Sequence, residues 1–434
     1  MPTAVLIGTL DTKGREYAFV QERLHEAGID VVVIDVSVLG TSSGITPDVT
    51  AEEVCEAGGA RLEDLRLGRE GTDARAVAIE TMTRGAACLL RKLADEGRCD
   101  GVLGLGGSGG SALISGAMRA LPLGVPKILV STMASGDVGA YVGSSDLCIM
   151  HSVTDIAGLN RISKPILANA AGALAGMLTS RKRPVLAAPE KPAVGVTMLG
   201  VTTPGVLRVI ERLDAAGFEP IVFHAVGSGG KALENLLEQG VITGVVDYTV
   251  KELTDETYGG IFRAGPDRLR TAGRKGFPQV VVPGAVEVLN FGALATVPQE
   301  YRDGSRPLLQ HNAEVTAVRI NAGELMDVAG ILAEHLNQAT GPACVVIPAK
   351  GFDSYAVEGG PFEDPAADAS FVLELERRLR PGIEVVTAAT HANDPVFADL
   401  VADAFIRIAR PVSSAATAPA VRKEEQWINK LAGE

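Results

Sequence analysis

The sequence has no C-x-x-C pair: its five cysteines, Cys55, Cys88, Cys99, Cys148 and Cys344, stand far apart in 434 residues. That spacing argues against a zinc ribbon or a disulfide framework, and the thiols read as reduced and mostly buried. Aromatic residues are scarce at 4%. With 50 glycines, 23 prolines and 46% hydrophobic residues, this composition fits a compact α/β protein better than a sandwich or a disordered chain. No apolar window approaches the roughly 18 residues that would mark a membrane helix. The opening MPTAVLIGTLDTK meets Asp11 too early to be a signal peptide, so the chain reads as soluble and cytoplasmic. Positive charge is also in deficit, with 40 Lys and Arg against 53 Asp and Glu for a net charge of -13. No global field therefore draws nucleic acid or an anionic membrane, although a local phosphate site remains allowed.

What is present is alternation. The run TAVLIGTL predicts a strand, residues 11–27 a helix with Tyr17, Val20, Leu24 and Ala27 at helical spacing, and VVVIDV a second, buried parallel strand. Residues 37–72 hold loops and one or two short helices. Asp73 to Gly97 reads as a long helix, DGVLGL as a third strand, and PKILVST as a fourth. SRKRPVLAAPEKP, basic and proline-rich, reads as a linker centred on 181–192. The pattern then restarts with AVGVTMLG, FEPIVFHAVG and VITGVVDYTV, and continues with strands at QVVVPGAV, AEVTAVRI, ACVVIP and EVVTAAT. The prediction is two Rossmann-like α/β domains with mostly parallel sheets, over 1–180 and 193–410, and a tail over 411–434.

GLGGSGGS, residues 104–111, joins the third strand to a helix. Glycines let backbone amides approach a phosphate, and the helix start adds its dipole. Gly106, Gly107, Ser108, Gly109 and Gly110 are therefore candidate phosphate contacts; a tight turn with close helix packing is the alternative. The loop matches neither the dinucleotide fingerprint nor the Walker pattern, which keeps nucleotide phosphates open and makes NAD the weaker choice. Two further strand ends meet this loop in a parallel sheet. GTLDTK supplies Thr9, Asp11, Thr12 and Lys13: Asp11 suits magnesium or a ribose hydroxyl and Lys13 a phosphate, unless Asp11 or Thr12 only caps the helix. STMASGD supplies Ser131, Thr132 and Gly136.

In that order GTLDTK, GLGGSGG, STMASGD and HSVTDIAGLNRIS resemble the amino-terminal signature of the Tm-1-like ATP-binding proteins, and GAVEVLNFG, KGFDSYAVEGGPFEDPAAD and HANDPVFAD resemble its carboxyl-terminal half. The resemblance covers the chain to about residue 410. It implies a nucleotide-binding first domain and a second α/β domain, without fixing a reaction.

A second polar group follows the later strands. His224 precedes AVGSGGK, a glycine turn suited to a phosphate or a carboxylate with Lys231 as a point charge. Glu287, His311, Lys350, Asp364, His391 and Asp394 follow in order and, with His224 and Lys231, are candidates for one cleft with a histidine general base; each on its own could instead be a loop or cap residue. His25 and His335 read as surface residues of helices. The leading expectation is an ATP- and magnesium-dependent transferase or ligase acting on a small polar substrate, as a homodimer or higher homo-oligomer. Alternatives are a nucleotide-sensing protein that binds a protein partner, and a metal-dependent hydrolase or lyase built on His311 and His391.

Overall fold

A computed structural model describes residues 1–67, 74–180 and 191–409. Its contacts divide the chain into two units, Met1–Ala188 and Pro189–Glu434. The linker centre at 181–190 and the tail at 411–434 lie outside the described residues.

In the first unit, β1 (Thr3–Gly8), β2 (Asp30–Asp35), β3 (Gly101–Gly106), β4 (Lys127–Ser131) and β5 (Cys148–His151) form one sheet in the order β2-β1-β3-β4-β5, with every pairing parallel. Among the described residues it is accompanied by the helices α1 (Leu10–Glu26), α2 (Ala51–Ala57), α3 (Leu62–Leu67), α4 (Ala74–Asp95), α5 (Ser108–Met118), α6 (Gly139–Val142) and α7 (Ser163–Ser180). Alternate strand residues point to opposite faces. Val5 and Ile7 pack with Val54, Met82, Leu90 and Ile114 of α2, α4 and α5, while Ala4 and Leu6 pack with Tyr17, Val20 and Leu174 of α1 and α7. Burial on both faces is why these strands are continuous apolar runs.

The second unit repeats the scheme. Strands β6 (Ala193–Met198), β7 (Glu219–His224), β8 (Val245–Thr249) and β9 (Gln279–Gly284) come first. Then β10 (Val288–Phe291), β11 (Leu308–Gln310) and β12 (Thr316–Arg319) precede β13 (Ala343–Pro348) and β14 (Glu384–Ala388). The main sheet is parallel, in the order β14-β13-β9-β8-β6-β7. Its helices are α8 (Thr203–Ala215), α9 (Ser228–Glu238), α10 (Glu252–Tyr258), α11 (Thr271–Lys275), α12 (Gln299–Arg302), α13 (Ala322–Asn337), α14 (Pro365–Arg378) and α15 (Pro395–Ala409). Counted within each unit, the first strand lies between the second and third in both, so both are doubly wound with a switch point beside the first strand.

AEVTAVRI departs from the expected parallel pattern. It forms β12, which pairs antiparallel with β10 and β11. Residues 311–315 alone connect β11 to β12, far short of the dozen or so that a parallel crossover needs, so the chain turns back as a hairpin. QVVVPGAV also divides: after Gly284 the chain turns at Ala285, whose φ of 56° is uncommon for a residue with a side chain, and Val288 starts a strand of the second sheet.

Candidate functional site

At the first unit's switch point β1 and β3 part company. Their register ends at Ile7 and Gly104, and the Tyr17 hydroxyl fills the gap, donating to the Ile7 carbonyl at 2.5 Å and accepting from the Leu105 amide at 2.7 Å. Gly8 makes room for it, since a Cβ there would stand 1.8 Å from the hydroxyl oxygen. Beyond the gap a cavity of about 540 Å³ opens, lined by Thr9, Asp11 and Thr12 after β1, Val36, Val38 and Leu39 after β2, and Gly109, Gly110 and Leu113 of α5. The insertion between β2 and β3 closes it with Leu65 and Arg66 of α3 and Ala74, Arg75, Ala78 and Ile79 of α4.

The predicted residues divide by role. Thr9, Asp11, Thr12, Gly109 and Gly110 face the cavity, while Lys13, Gly106, Gly107, Ser108, Ser131, Thr132 and Gly136 are not among its lining. Thr9 is the residue before α1 and makes no side-chain cap bond, so neither Asp11 nor Thr12 is the N-cap. Asp11 instead accepts from the Gly40 amide through Oδ2 at 3.1 Å. Among the described residues its buried Oδ1 has no hydrogen-bond partner. The Lys13 backbone leaves helical geometry (φ -127°, ψ 15°) and kinks α1. Gly106 is required by packing, because a Cβ would approach the Ser111 nitrogen to 2.5 Å. Ser131 ties the loops together: its Oγ lies 2.6 Å from Ser111 Oγ and accepts from the Met133 amide at 3.0 Å. Thr132 donates its amide to the Gly106 carbonyl at 3.1 Å, and Gly136 closes an exposed turn onto Met133. Asp35, at the end of β2, is buried and accepts from the Leu10 and Ser37 amides. It holds the β1–α1 turn and so is withdrawn from the ribose role an acid at that position has in dinucleotide sites.

In the second unit the glycine turn after β7 already holds an anion. The Gly227 and Gly230 amides donate to Glu252 Oε1 at 2.6 and 3.2 Å, and Lys231 is exposed. A buried carboxylate of the chain itself thus takes the position where a phosphate was expected. His224 ends β7 and His391 follows β14, the two edges of a six-stranded sheet. Five strand spacings separate those edges, roughly 24 Å. His224 is exposed and donates from Nδ1 to the Met198 carbonyl. His311 lies exposed in the β11–β12 hairpin with Nδ1 3.4 Å from the Tyr355 hydroxyl. His391 accepts from the Asn393 amide, and Asp394 from that of Val396. Lys350 is exposed. Asp364 caps α14 by accepting from Ala367 at 3.0 Å. Among the described residues no three His, Cys, Asp or Glu side chains gather so as to hold a metal ion. His335, expected at the surface, is buried and donates from Nδ1 to the Arg268 carbonyl; burial lowers its pKa.

Two family models cover nearly the whole described chain: the N-terminal domain of the Uncharacterised protein family UPF0261 at residues 2–183 and its C-terminal domain at 191–409. The chain belongs to the UPF0261 family. A UPF0261 protein of Clostridium tetani is 41% identical over 405 residues, covering 93% of this chain and 98% of that protein. A UPF0261 protein of Rhizobium meliloti is 40% identical over 95% of this chain and 100% of its own length. The ToMV resistance protein Tm-1 of Solanum lycopersicum is 37% identical over 98% of this chain, which spans 58% of the tomato protein.

In this UPF0261 chain, Glu287 is the member of the second polar group that the structure places among buried charges. It has no exposed surface, nor has Asp353, and Arg319 and Asp368 are buried beside them; these three are residues that sequence reasoning did not single out. The available signal was a charge inside an apolar run, Arg319 in VTAVRI; Asp353 in KGFDSY has no such signal. Arg319 Nη2 donates to Asp368 Oδ1 at 2.7 Å, and Asp353 Oδ1 accepts from the Tyr355 and Ala356 amides. Among the described residues no donor outside this pair reaches either Glu287 oxygen or Asp353 Oδ2, so the hydrogen bond open to them is the one between the two carboxyls. Burial, and then the neighbouring Asp353 carboxylate, push the Glu287 pKa well above its ordinary value; burial likewise raises Asp353 and brings Asp368 to about 6. A carboxyl raised in the folded state gives stability that is complete below the unfolded pKa, about 4, and is lost as pH rises through the folded value. Glu287→Gln removes one such group while keeping a donor beside Asp353. Thermal melts should show the variant close to wild type at pH 5 and more stable at pH 8; parallel curves for the two proteins would refute this assignment.

Proposed function

We propose that the first unit binds ATP with magnesium in the cavity between the β1 and β3 strand ends. The observation that supports this most directly is the coincidence, at one switch point, of the amino-terminal turn of α5, whose Gly109 and Gly110 leave the backbone uncovered, with the uncommitted Asp11 Oδ1 and an apolar wall. Amides at a helix start attract phosphate. An apolar wall suits a base, and the volume lies within the usual range for small-molecule sites. A single carboxylate oxygen fits magnesium, which takes one or two carboxylates and completes its shell with phosphates and water. ATP-dependent transfer to a small polar substrate is the chemistry such a site would serve. Release of ADP or AMP on incubation with candidate substrates separates that from nucleotide sensing alone.

Calorimetric titration with ATP, with and without magnesium, tests the reading. Wild type is expected to bind, and more tightly with the metal; absence of binding overturns it. Asp11→Asn keeps an oxygen for the Gly40 amide, so the fold should be retained while the magnesium-dependent gain in affinity falls about tenfold. An equal loss in EDTA would place Asp11 against the ribose instead.

A further inference from the structure

We propose that Arg75 is the phosphate-binding side chain of this cavity, and that the site accordingly selects nucleoside di- and triphosphates over the monophosphate and the free nucleoside. The proposal rests on the nucleotide reading above and assigns a residue outside every glycine-rich or acidic motif of the sequence. Arg75 lies in the first turn of α4, yet its guanidinium reaches across to α5: Nη2 stands 3.1 Å from the point a Cβ on Gly109 would occupy. It therefore lies beside the first turn of α5. No hydrogen bond or ion pair among the described residues holds it, whereas Arg208, Arg212 and Arg319 each meet a carboxylate.

A second guanidinium supports the same anion. Arg66 donates from Nε to the Val38 carbonyl at 2.7 Å, which fixes the side chain at the cavity wall, and among the described residues nothing engages its terminal nitrogens. Asp11 is the one acid among the described lining residues, and its Oδ2 is engaged by Gly40. In a chain of net charge -13, the described lining residues set two guanidiniums against one carboxylate, a local reversal of sign that suits an anion carrying several charges. Guanidinium forks meet phosphate oxygens in pairs, an arrangement that lysine does not reproduce. Phosphate held beside the Arg75 guanidinium at the α5 turn leaves Val36, Val38 and Leu39 to face the base.

The test is calorimetry on the full chain with ATP, ADP, AMP and adenosine as the probes, for wild type, Arg75→Ala and Arg75→Lys. Wild type should prefer ATP and ADP. Arg75→Ala should lose about ten- to a hundredfold for those two and less than about twofold for adenosine, and Arg75→Lys should recover only part. Arg75 is exposed, so both variants are expected to melt as wild type does. If wild type binds ATP and Arg75→Ala binds it equally well, the Arg75 assignment is wrong while the nucleotide site stands. If adenosine affinity falls as far as ATP affinity, the residue acts through the shape of the cavity and the assignment again fails. If wild type binds none of the four probes, the nucleotide reading itself fails, and this inference with it.

Discussion

Replacing Gly109 by valine is expected to leave a folded protein that binds ATP more than tenfold more weakly, a loss above about 1.4 kcal/mol. The position is open on the cavity side. A Cβ there meets the flexible end of Arg75 at 3.1 Å and the Ile79 Cδ1 at 3.7 Å, with no backbone closer. A displaced arginine tip costs the fold little, while two methyl groups over the α5 turn would occupy the position proposed for phosphate. Gly106→Val supplies the contrast. Its Cβ would press to 2.5 Å from the Ser111 nitrogen, so that variant should lose stability as well as binding. Calorimetry beside a thermal melt decides: wild-type affinity in folded Gly109→Val would remove the phosphates from this loop.

Arg268→Met is expected to destabilise the second unit by about 3–5 kcal/mol, the usual cost of leaving buried charge unpaired. Arg268 has no exposed surface. It donates to Glu252 Oε2 and Asp247 Oδ1, each at 2.6 Å, and to Glu234 Oε1 at 3.3 Å. Through Glu252 it also secures the glycine turn after β7, and its carbonyl receives His335. Methionine fills the space of the side-chain stem and leaves three carboxylates without their cation. Burial already raises the Glu234 and Asp247 pKa values, against the pull of Arg268; without it they rise further and hold protons. The variant's deficit should therefore be smaller at pH 5 than at pH 8, because the stranded groups hold protons only in the folded chain, and the cost of keeping them grows as pH rises above the unfolded value of about 4 towards their raised folded values. Urea unfolding followed by circular dichroism at both pH values measures it. A deficit under about 1 kcal/mol at pH 8 would show that the carboxylates find other partners or water.

The local elements of this protein are legible from its sequence because local physics determines them. Continuous apolar runs such as TAVLIG and ACVVIP, short and rich in β-branched residues, read as strands buried on both faces, and strands they are; the long helical period after residue 73 matches α4. The glycine loop after the third strand could be placed at a strand-to-helix junction from composition alone, and there it lies. The roles of single polar residues were less legible. AVGSGGK and GLGGSGG look alike in one dimension, yet one is occupied by Glu252 from the next helix and the other borders an open cavity. Neither spacing nor composition says which carboxylate reaches which amide.

The sequence by itself determined the two α/β units, the parallel strands and the glycine-rich junction, since each follows from side-chain period and backbone freedom within about thirty residues. Only the tertiary structure decided which of those features share a site. The β2-β1-β3 order brings Asp11 to Gly109, and the helices inserted before β3 add Arg66 and Arg75. The order β14 to β7 sets His391 and His224 at opposite sheet edges. Strand order is a property of long-range packing, in which contacts between residues a hundred positions apart outweigh any local preference, and proximity in such a fold is set by topology rather than by distance along the chain.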